Sequence, residues 1–287
     1  MNHLYSFIID DMNTLKNIID EESNQFSLSI SSIKKIAQQN HFSERKIEII
    51  ALEEGILPVR YQRNINSISL SEQIKLLKSK VAVIGCGGLG GNVIELLARI
   101  GIGQLNLVDG DKFVDSNINR QRFCNEKSIG KNKVDMVTDA LKNINSSLEV
   151  KTYYQFIDSD NLSTILDGVN ITIDALDNIH SRFILEKACQ SLKIPLVHAA
   201  VEGFIGQVST IFPEDKGLKL IYGSDASNRQ FKRKKLISVP AITPALIAAF
   251  QVQEAIKIIL KKENILRKKL LYINLEECEM EILKLDE

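Results

Sequence analysis

The chain lacks an excess of charge of either sign. Its 287 residues carry 36 Lys and Arg and 36 Asp and Glu, so the formal net charge is +0. Proteins that are drawn to nucleic acid or to anionic membranes by bulk electrostatics need a positive surplus. We therefore expect neither nucleic acid nor a membrane as a partner of this protein.

Long hydrophobic runs and a secretory leader are also missing. No apolar run in the sequence approaches the roughly 20 residues that a transmembrane helix needs. The first residues are MNHLYSFIIDDMN, which carry acids and lack the basic start of a signal peptide. These absences predict a cytoplasmic protein.

Cysteine is scarce, and no two cysteines form a CxxC pair. Structural zinc sites in loops usually contain such pairs. Disulfides are rare in cytoplasmic proteins. We therefore expect neither zinc nor a disulfide at Cys86, Cys124, Cys189 and Cys278.

Residues 80–121 contain the pattern of strand, glycine turn, helix, strand and acid. Lys80–Ile84 is an apolar, β-branched run, which is typical of a buried parallel strand. Residues 93–100 are predicted to be helical, and Gln104–Val108 forms a second strand that leads to Asp109. This is the pattern of a nucleotide-binding βαβ unit. The glycines of its turn are Gly85, Gly87, Gly88, Gly90 and Gly91.

The chemistry of this unit suits a phosphate ligand. Glycines let the backbone turn tightly and let a ligand approach it closely. The helix start then offers free N–H groups and a positive dipole end to phosphate. Asp109 follows at the spacing of about 20 residues that is expected of a ribose-binding carboxylate. The alternative is a nucleotide fold that has lost its ligand.

Polar residues after the acid separate the classes of nucleotide-binding enzyme. The chain continues with Asp109-Gly110-Asp111, then SNINRQ at 116–121 and GKNK at 130–133. Arginine, amide and lysine side chains suit the charge of a polyphosphate better than nicotinamide. These segments therefore disfavour an NAD-dependent dehydrogenase.

Five ordered motifs now resemble those of one family. They are VIGCGGLGG, LVDGD, SNINRQ, GKNKV and DALDN, and they look like the ThiF/MoeB/HesA adenylyltransferases, which are relatives of the ubiquitin-activating enzymes. The resemblance covers about residues 60–285. It implies an α/β fold with a Rossmann-like, mostly parallel sheet and an antiparallel C-terminal extension. The helical spacing of apolar residues before this region predicts, in addition, a small N-terminal helical module. We predict that 1–57 is this module and that 58–287 is the ATP-binding adenylation domain.

The resemblance also assigns roles to residues around the nucleotide. Asp109 and Asp111 would bind ribose hydroxyls, and Lys133 would contact phosphate during adenylation. Asp177 would bind Mg²⁺, for which one carboxylate is enough when ATP supplies phosphate oxygens. The glycine turn, through Gly85, Gly87, Gly88 and Gly90, would hold the nucleotide. The residues that would contact the triphosphate are Asn117, Arg120 and Gln121.

The sequence RYQRN, at residues 60–64, is similar to the family's RYxRQ motif. In the family the second arginine reaches into the ATP site of a neighbouring subunit, and that role would fall on Arg63. A planar cation placed on phosphates acts as an arginine finger, and its supply in trans implies a symmetric homodimer. The alternative is a surface arginine in a linker. Asn64 in place of the family's Gln is a departure.

Two further departures concern cysteine. Many members of the family carry two CxxC pairs for zinc, and those that form a thioester or persulfide place a cysteine in a loop before the last helix. The loop predicted at 213–240 has no cysteine, so we expect no zinc and no covalent cysteine step there. Its basic run at 232–235 either meets a partner's tail or is a solvated charge run.

Buried strands and helices complete the expected fold. Residues 169–175 and 196–200 are predicted as strands, with His198 as a satisfied core histidine and Arg182 as a structural residue. The sheet is expected to turn antiparallel at 203–212 and to end in a hairpin. Pro244 is expected to open a helix at 245–260 that is buried in the core or at a dimer interface.

The N-terminal module has two interpretations. Ser43 is a good N-cap for a helix over 44–54, which Gly55 ends. The module either docks a partner or clamps a peptide, or it is a helical cap packed on the main domain. A DNA-reading role has little support because no basic stripe accompanies it.

The resulting hypothesis is ATP-dependent adenylation of the C-terminal Gly-Gly carboxylate of a ubiquitin-like sulfur-carrier protein of the ThiS/MoaD type. The products would be an acyl-adenylate and pyrophosphate. Such a reaction needs mainly positioning and charge neutralisation, which Arg63 in trans, Arg120, Lys133 and Mg²⁺ on Asp177 would supply. Two alternatives are an adenylase of a peptide substrate and a tRNA-modifying dehydratase of the same superfamily, and the neutral net charge argues against the second. A catalytically dead scaffold is disfavoured because the phosphate-contacting positions are intact.

Overall fold

The computed structural model describes residues 16–17, 19–23, 27–223 and 238–285. The basic run at 232–235 lies outside the described residues. The strands are β1 (Ser27–Leu28), β2 (Leu57–Pro58), β3 (Lys80–Ile84), β4 (Gln104–Val108), β5 (Glu149–Tyr153), β6 (Ile171–Asp174), β7 (Leu196–Glu202), β8 (Ile205–Ile211), β9 (Lys269–Asn274) and β10 (Glu279–Lys284). The main α-helices are α1 (Ile30–Asn40), α2 (Glu44–Glu53), α3 (Leu70–Leu77), α4 (Gly88–Ile100), α5 (Lys133–Ile144), α6 (Leu162–Ile165), α7 (Ile179–Leu192), α8 (Leu218–Tyr222) and α9 (Ile242–Ile259).

An eight-stranded sheet forms the centre of the molecule. Its strand order is β10-β9-β8-β7-β6-β3-β4-β5. The strands from β5 to β7 in this order are parallel, and β8, β9 and β10 are antiparallel to their neighbours. The predicted mixed α/β fold with an antiparallel C-terminal extension is confirmed. Because β4 and β6 flank β3 on opposite sides, a crevice is expected at the carboxyl ends of these strands.

Strand β3 shows why the sheet is covered on both faces. Val81 and Val83 lie in an apolar cluster with residues of α4, α5 and α9. Ala82 and Ile84 lie in a second cluster with residues of α6 and α7. Successive strand residues point to opposite faces, so a continuous apolar run requires helices on both. The sheet is therefore the middle of three layers.

By length and composition alone, helix α9 is long and apolar enough to cross a membrane. It has 18 residues and a mean hydropathy of 1.3, the one such helix in the part of the chain that the structure describes. Its Ile247, Ala248 and Ala255 are fully buried in the core cluster on β3. The prediction of a core helix is confirmed. Its predicted start was wrong by a few residues, since Pro244 is the third residue of α9, still within the first turn, where no intrahelical N–H is needed.

Two other predicted limits were wrong. The helix expected at 93–100 begins at Gly88, because the glycines of the turn themselves form its first turn. The loop expected at 213–240 contains α8, whose Leu218 N–H donates to the Glu186 carboxylate at 2.6 Å. Glu186 is far away in the sequence, so local patterns do not show this cap.

The N-terminal helices have an apolar cluster of their own. Ile33 and Ile36 of α1 pack with Ile47 and Ile50 of α2, and β1 pairs in parallel with β2. The predicted Ser43 cap is confirmed, since its side chain accepts the Lys46 N–H. The division into 1–57 and 58–287 stays a prediction.

A buried polar cluster joins α2 to the nucleotide-binding part. Glu48 has 0% exposure, and its Oε1 lies 3.1 Å from Arg60 Nε. Tyr61 Oη donates to Glu48 Oε2 at 3.2 Å. Arg60 and Tyr61 both also contact the side chain of Asn145, which follows α5. Burial raises the pKa of Glu48 from 4.5 to about 6, against the opposing charge of Arg60.

The turn between β3 and α4 requires glycine at particular positions. Gly85 has a φ of +103°, and a Cβ there would lie 2.6 Å from the carbonyl oxygen of Ala175. A Cβ on Gly90 would lie 1.8 Å from the carbonyl oxygen of Gly85. Both distances are far below van der Waals contact. The first turn of α4 therefore packs against the end of β3 through backbone alone.

Replacement of Gly90 should damage the fold, whereas replacement of a neighbouring glycine should not. We expect Gly90→Ala to lower Tm by about 5–10 °C or to prevent folding, because the added methyl group forces the backbone apart. Gly88→Ala is the matched control, since its Cβ would meet nothing closer than 3.6 Å. Thermal unfolding monitored by circular dichroism measures both. Equal Tm values for the two variants would contradict this interpretation.

Glu48 should give the unfolding free energy a defined pH dependence. Its folded pKa is raised, so the folded state binds this proton more tightly and the contribution of Glu48 to stability falls as pH rises from about 4.5 through about 6. We expect the stability of the wild type, relative to Glu48→Gln, to fall by about 2 kcal/mol between about pH 4 and about pH 7.5. Urea unfolding measures this difference.

The control for that measurement lies on the same helix. Glu53 is an exposed carboxylate of α2 that pairs with Lys78 at 2.9 Å, and Glu53→Gln removes one charge without touching the buried cluster. A difference between wild type and Glu48→Gln that rises with pH would contradict the effect of burial.

Candidate active site

The glycine turn places the start of α4 at the carboxyl edge of the sheet. Gly87 is the N-cap, and no side chain among the described residues caps this 13-residue helix. A Cβ on Gly87 would have Gln121 Nε2 as its nearest neighbour, at 3.6 Å, and a Cβ on Gly88 would have Arg120 Cγ, also at 3.6 Å. Two residues predicted to contact the triphosphate therefore lie beside the turn. The free N–H groups of the helix start can bind an anion there.

Asp109 lies where β4 ends, next to the glycine turn. Its Oδ2 accepts the Cys86 N–H and its Oδ1 accepts the Asp111 N–H, each at 2.8 Å. Burial raises the pKa of Asp109, and the charge of Lys133 opposes that rise. The carboxylate is thus fixed in one orientation, and each of its oxygens has a further lone pair for a ribose hydroxyl.

Lys133 is a buried cation at the start of α5. Its side chain is 7% exposed, and its Nζ lies 3.1 Å from Oδ2 of Asp111, whose side chain is 56% exposed. Lys131, two residues earlier, is exposed. A charged lysine that is shielded from solvent interacts more strongly with an incoming phosphate than a solvated lysine does. Lys133 is therefore the better placed of the two for phosphate.

The segment 117–121 closes the same edge of the sheet. Asn117 is buried, and its Oδ1 accepts the Val114 N–H at 3.3 Å. Arg120 Nη1 donates to the carbonyl oxygen of Ser116 at 2.8 Å. Gln121 is also buried, and its Oε1 has no hydrogen-bond partner among the described residues. A buried polar atom left unpaired costs free energy, so a ligand group is expected at Gln121.

Asp177 lies in the turn between β6 and α7. It is exposed, and its Oδ1 accepts a hydrogen bond from Asn178 Nδ2 at 3.3 Å. Asp174, the other acid of this segment, is fully buried. Among the described residues no three His, Cys, Asp or Glu side chains form a metal-binding group. One exposed carboxylate after β6 fits Mg²⁺, which keeps few protein ligands when phosphates coordinate it.

Arg63 is the one predicted residue that the structure does not bring to this site. It is exposed in the 3-10 helix Val59–Asn64. Its neighbour Tyr61 lies against Gly101, and Asn64 Nδ2 lies 3.5 Å from the carbonyl oxygen of Ile100. These contacts are at the C-terminal end of α4, whereas the glycine turn is at its N-terminal end. At 1.5 Å per residue, the length of α4 separates the two places by about 20 Å.

Sequence reasoning missed a buried polar cluster below Asp177. The Oδ2 atom of Asp174 lies 2.6 Å from Nδ1 of His198, and Nε2 of His198 lies 3.1 Å from the hydroxyl of Tyr222. Arg182 donates to Tyr222 Oη at 2.8 Å and to the carbonyl oxygen of Leu176 at 2.6 Å. The prediction of His198 as a satisfied core histidine is confirmed, and burial lowers its pKa. The sequence does carry a signal for this cluster, because Asp174 and His198 each stand within an otherwise apolar strand pattern.

Comparison with known proteins supports this picture. The ThiF family matches residues 61–287. An adenylyltransferase and sulfurtransferase MOCS3 of Culex quinquefasciatus is 31% identical over 279 residues, which are 96% of this chain and 61% of that protein. A probable molybdopterin-synthase adenylyltransferase of Gracilaria tenuistipitata var. liui is 33% identical over 228 residues, 79% of this chain and 64% of that protein. The chain thus spans less than two-thirds of the length of these relatives.

A solved structure shares the fold and the sequence pattern. The crystal structure of E. coli MccB with AMPCPP and MccA has a TM-score of 0.64 and 25% identity, and the match covers 79% of this chain and 71% of that one. Since the family match extends over residues 61–287 and includes every predicted nucleotide-contacting residue at the sheet edge, the chain belongs to the ThiF family.

Proposed function

We propose that this protein uses ATP and Mg²⁺ to adenylate the C-terminal Gly-Gly carboxylate of a ubiquitin-like sulfur-carrier protein of the ThiS/MoaD type. The observation that carries the proposal is that the neighbouring parallel strands β3, β4 and β6 lead into the glycine turn, into Asp109 and Asp111, and into the exposed Asp177, and that Asp111 pairs with the buried Lys133. The names of the two relatives, both adenylyltransferases, support the same reaction.

The proposed reaction joins a carboxylate to AMP. A carboxylate oxygen attacks the α-phosphorus of ATP, the bond from that phosphorus to the bridging oxygen of pyrophosphate breaks, and its electron pair leaves with pyrophosphate. The product is an acyl-adenylate. No proton transfer is required, so the protein has mainly to position the two anions and to offset their charge.

Each nucleotide-contacting residue has a role in this scheme. Asp109 and Asp111 accept hydrogen bonds from the ribose hydroxyls. Lys133, which lies beside Asp111, neutralises phosphate charge when the triphosphate enters. The amide and guanidinium groups that orient the phosphates at the start of α4 are Asn117, Arg120 and Gln121, with Gly85, Gly87, Gly88 and Gly90 beneath them.

Asp177 would hold the Mg²⁺, whose charge would offset that of the phosphates. No structural zinc and no covalent cysteine step in the loop before α9 form part of the proposal. The described cysteines are free, and Cys278 is the exposed one. We place the reaction in the cytoplasm, where ATP is abundant.

A second copy of the chain would complete the site. Arg63 lies about 20 Å from the glycine turn of its own chain, by the length of α4. A symmetric dimer can bring the exposed Arg63 of each copy to the other copy's triphosphate. The proposed active form is therefore a homodimer in which the arginine acts in trans.

One observation favours a peptide as an alternative acceptor. The similar E. coli MccB structure contains MccA together with a nucleotide analogue. In this alternative the chemistry is unchanged, and α1 and α2 of the N-terminal module clamp the peptide. The two acceptors are distinguished by which carboxylate supports the exchange reaction.

ATP–pyrophosphate exchange tests the proposed reaction. We expect exchange with Mg²⁺ and one of a panel of carrier proteins that end in Gly-Gly, and an about 100-fold loss in Asp177→Asn because the metal loses its carboxylate. Asp139→Asn, at an exposed site on α5, is the matched control and should keep wild-type exchange. Exchange with short peptides but with no carrier would support the alternative acceptor.

Mixing two inactive variants tests the dimer. Arg63→Ala and Lys133→Ala should each have little exchange activity. A heterodimer of the two contains one site with both residues, so it should recover about half of the wild-type activity. Co-expression with two different affinity tags and tandem purification gives this species. A heterodimer as inactive as its parents would contradict the trans role of Arg63.

A further inference from the structure

The helix that carries Arg63 is held on one side by the N-terminal module. Two of its residues, Arg60 and Tyr61, contact Glu48 of α2, at 3.1 Å from Arg60 Nε and 3.2 Å from Tyr61 Oη. Both also contact the side chain of Asn145, whose Nδ2 donates to the carbonyl oxygen of Ala98 at 3.0 Å. We call Glu48, Arg60, Tyr61 and Asn145 the brace.

The brace is buried although it contains two charged groups. Glu48 and Tyr61 are 0% and 1% exposed, and the Arg60 side chain is 10% exposed. A buried ion pair contributes little net stability compared with apolar side chains of the same volume. The hydrogen bonds of the brace, from Tyr61 to Glu48 and from Arg60 to Asn145, do however fix the geometry of the segment on which they lie. The cluster is therefore better suited to positioning than to stabilisation.

The other end of the same short helix is also fixed. Asn64 Nδ2 donates to Gln73 Oε1 at 3.0 Å, and Gln73 Nε2 donates to the carbonyl oxygen of Ile100 at 2.9 Å. Between the two anchored ends, Gln62 and Arg63 are exposed. The backbone that carries Arg63 is thus held on both sides, while Arg63 itself is exposed.

We propose that Glu48 is a positioning residue for Arg63, so that the N-terminal module aims the arginine which one copy of the chain supplies to the ATP site of the other. The inference rests on the proposed function, because it needs Arg63 to act in trans. It gives α2 a role in the adenylation reaction although α2 lies outside the site formed by its own chain.

Glu48 is the informative member of the brace because it belongs to a different unit from the rest. Arg60, Tyr61 and Asn145 belong to the part of the chain that also forms the nucleotide site. Removal of the Glu48 carboxylate leaves Arg60 without its ion-pair partner and frees the start of the short helix to shift. A displacement of about 1 Å in a charged group near reacting phosphates can reduce a rate by one to two orders of magnitude.

An asymmetric heterodimer separates positioning from a general structural effect. One protomer carries Lys133→Ala and keeps Arg63, so it only donates the arginine. Its partner carries Arg63→Ala and keeps Lys133, so it only performs the reaction. Glu48→Gln is then added to the donor protomer in one preparation and to the reacting protomer in another. Both preparations contain the same three substitutions and differ only in which protomer carries the third.

The expected result is a difference between these two preparations. Glu48→Gln in the donor protomer should reduce the rate of ATP–pyrophosphate exchange at saturating ATP about tenfold, with little change in the KM for ATP. The same substitution in the reacting protomer should reduce it less than twofold. Glu53→Gln, which removes an exposed carboxylate from the same helix, should have no effect in either protomer.

Two outcomes would overturn the inference in distinguishable ways. An equal loss in both preparations, with the starting heterodimer active, would show that Glu48 acts on the fold and not on Arg63, and the proposed function would stand. A starting heterodimer without exchange activity would refute the trans role itself. Arg60→Lys in the donor protomer provides a second test, since it keeps the charge but loses the planar contacts to both Glu48 and Asn145, and it should give the same asymmetry.

Discussion

The close backbone contact between the first turn of α4 and the end of β3 is the constraint on which the site depends. A Cβ on Gly90 would lie 1.8 Å from the carbonyl oxygen of Gly85, and one on Gly85 would lie 2.6 Å from that of Ala175, which follows β6. Because β3 lies between β4 and β6 in the sheet, this contact fixes the start of α4 relative to the residues after those two strands. The anion-binding end of the helix is therefore placed by the same packing that forms the core.

The charges around this contact are arranged before any ligand enters. Lys133 is buried and would be costly to hold there alone, but Asp111 lies 3.1 Å from its Nζ and offsets its charge. Asp109 is partly buried, and the N–H groups of Cys86 and Asp111 hold its two oxygens. Little reorganisation would then be needed if a phosphate bound here, which is the condition for strong electrostatic stabilisation.

Sequence patterns predicted the parts of the fold that depend on residues close together in the sequence. The limits of β3 and β4 agree with prediction, and the last four residues of each strand are buried. The roles of the predicted nucleotide-contacting residues were implied by the resemblance of short motifs to a family, and they stay a prediction. The start of α4 and the helix α8 were missed because Gly85 and Glu186, which fix them, act through contacts that only the folded chain creates.

The two buried polar clusters have a common physical explanation. Asp174 and Arg182 both bond to Leu176, at its N–H and its carbonyl oxygen, and so hold the turn that leads to the exposed Asp177. Glu48 likewise holds the helix that carries the exposed Arg63. An exposed charged side chain on a short segment has no packing of its own to fix its position. Buried ion pairs add little stability, so their occurrence beneath these two residues is better explained by the geometry they impose than by the energy they supply.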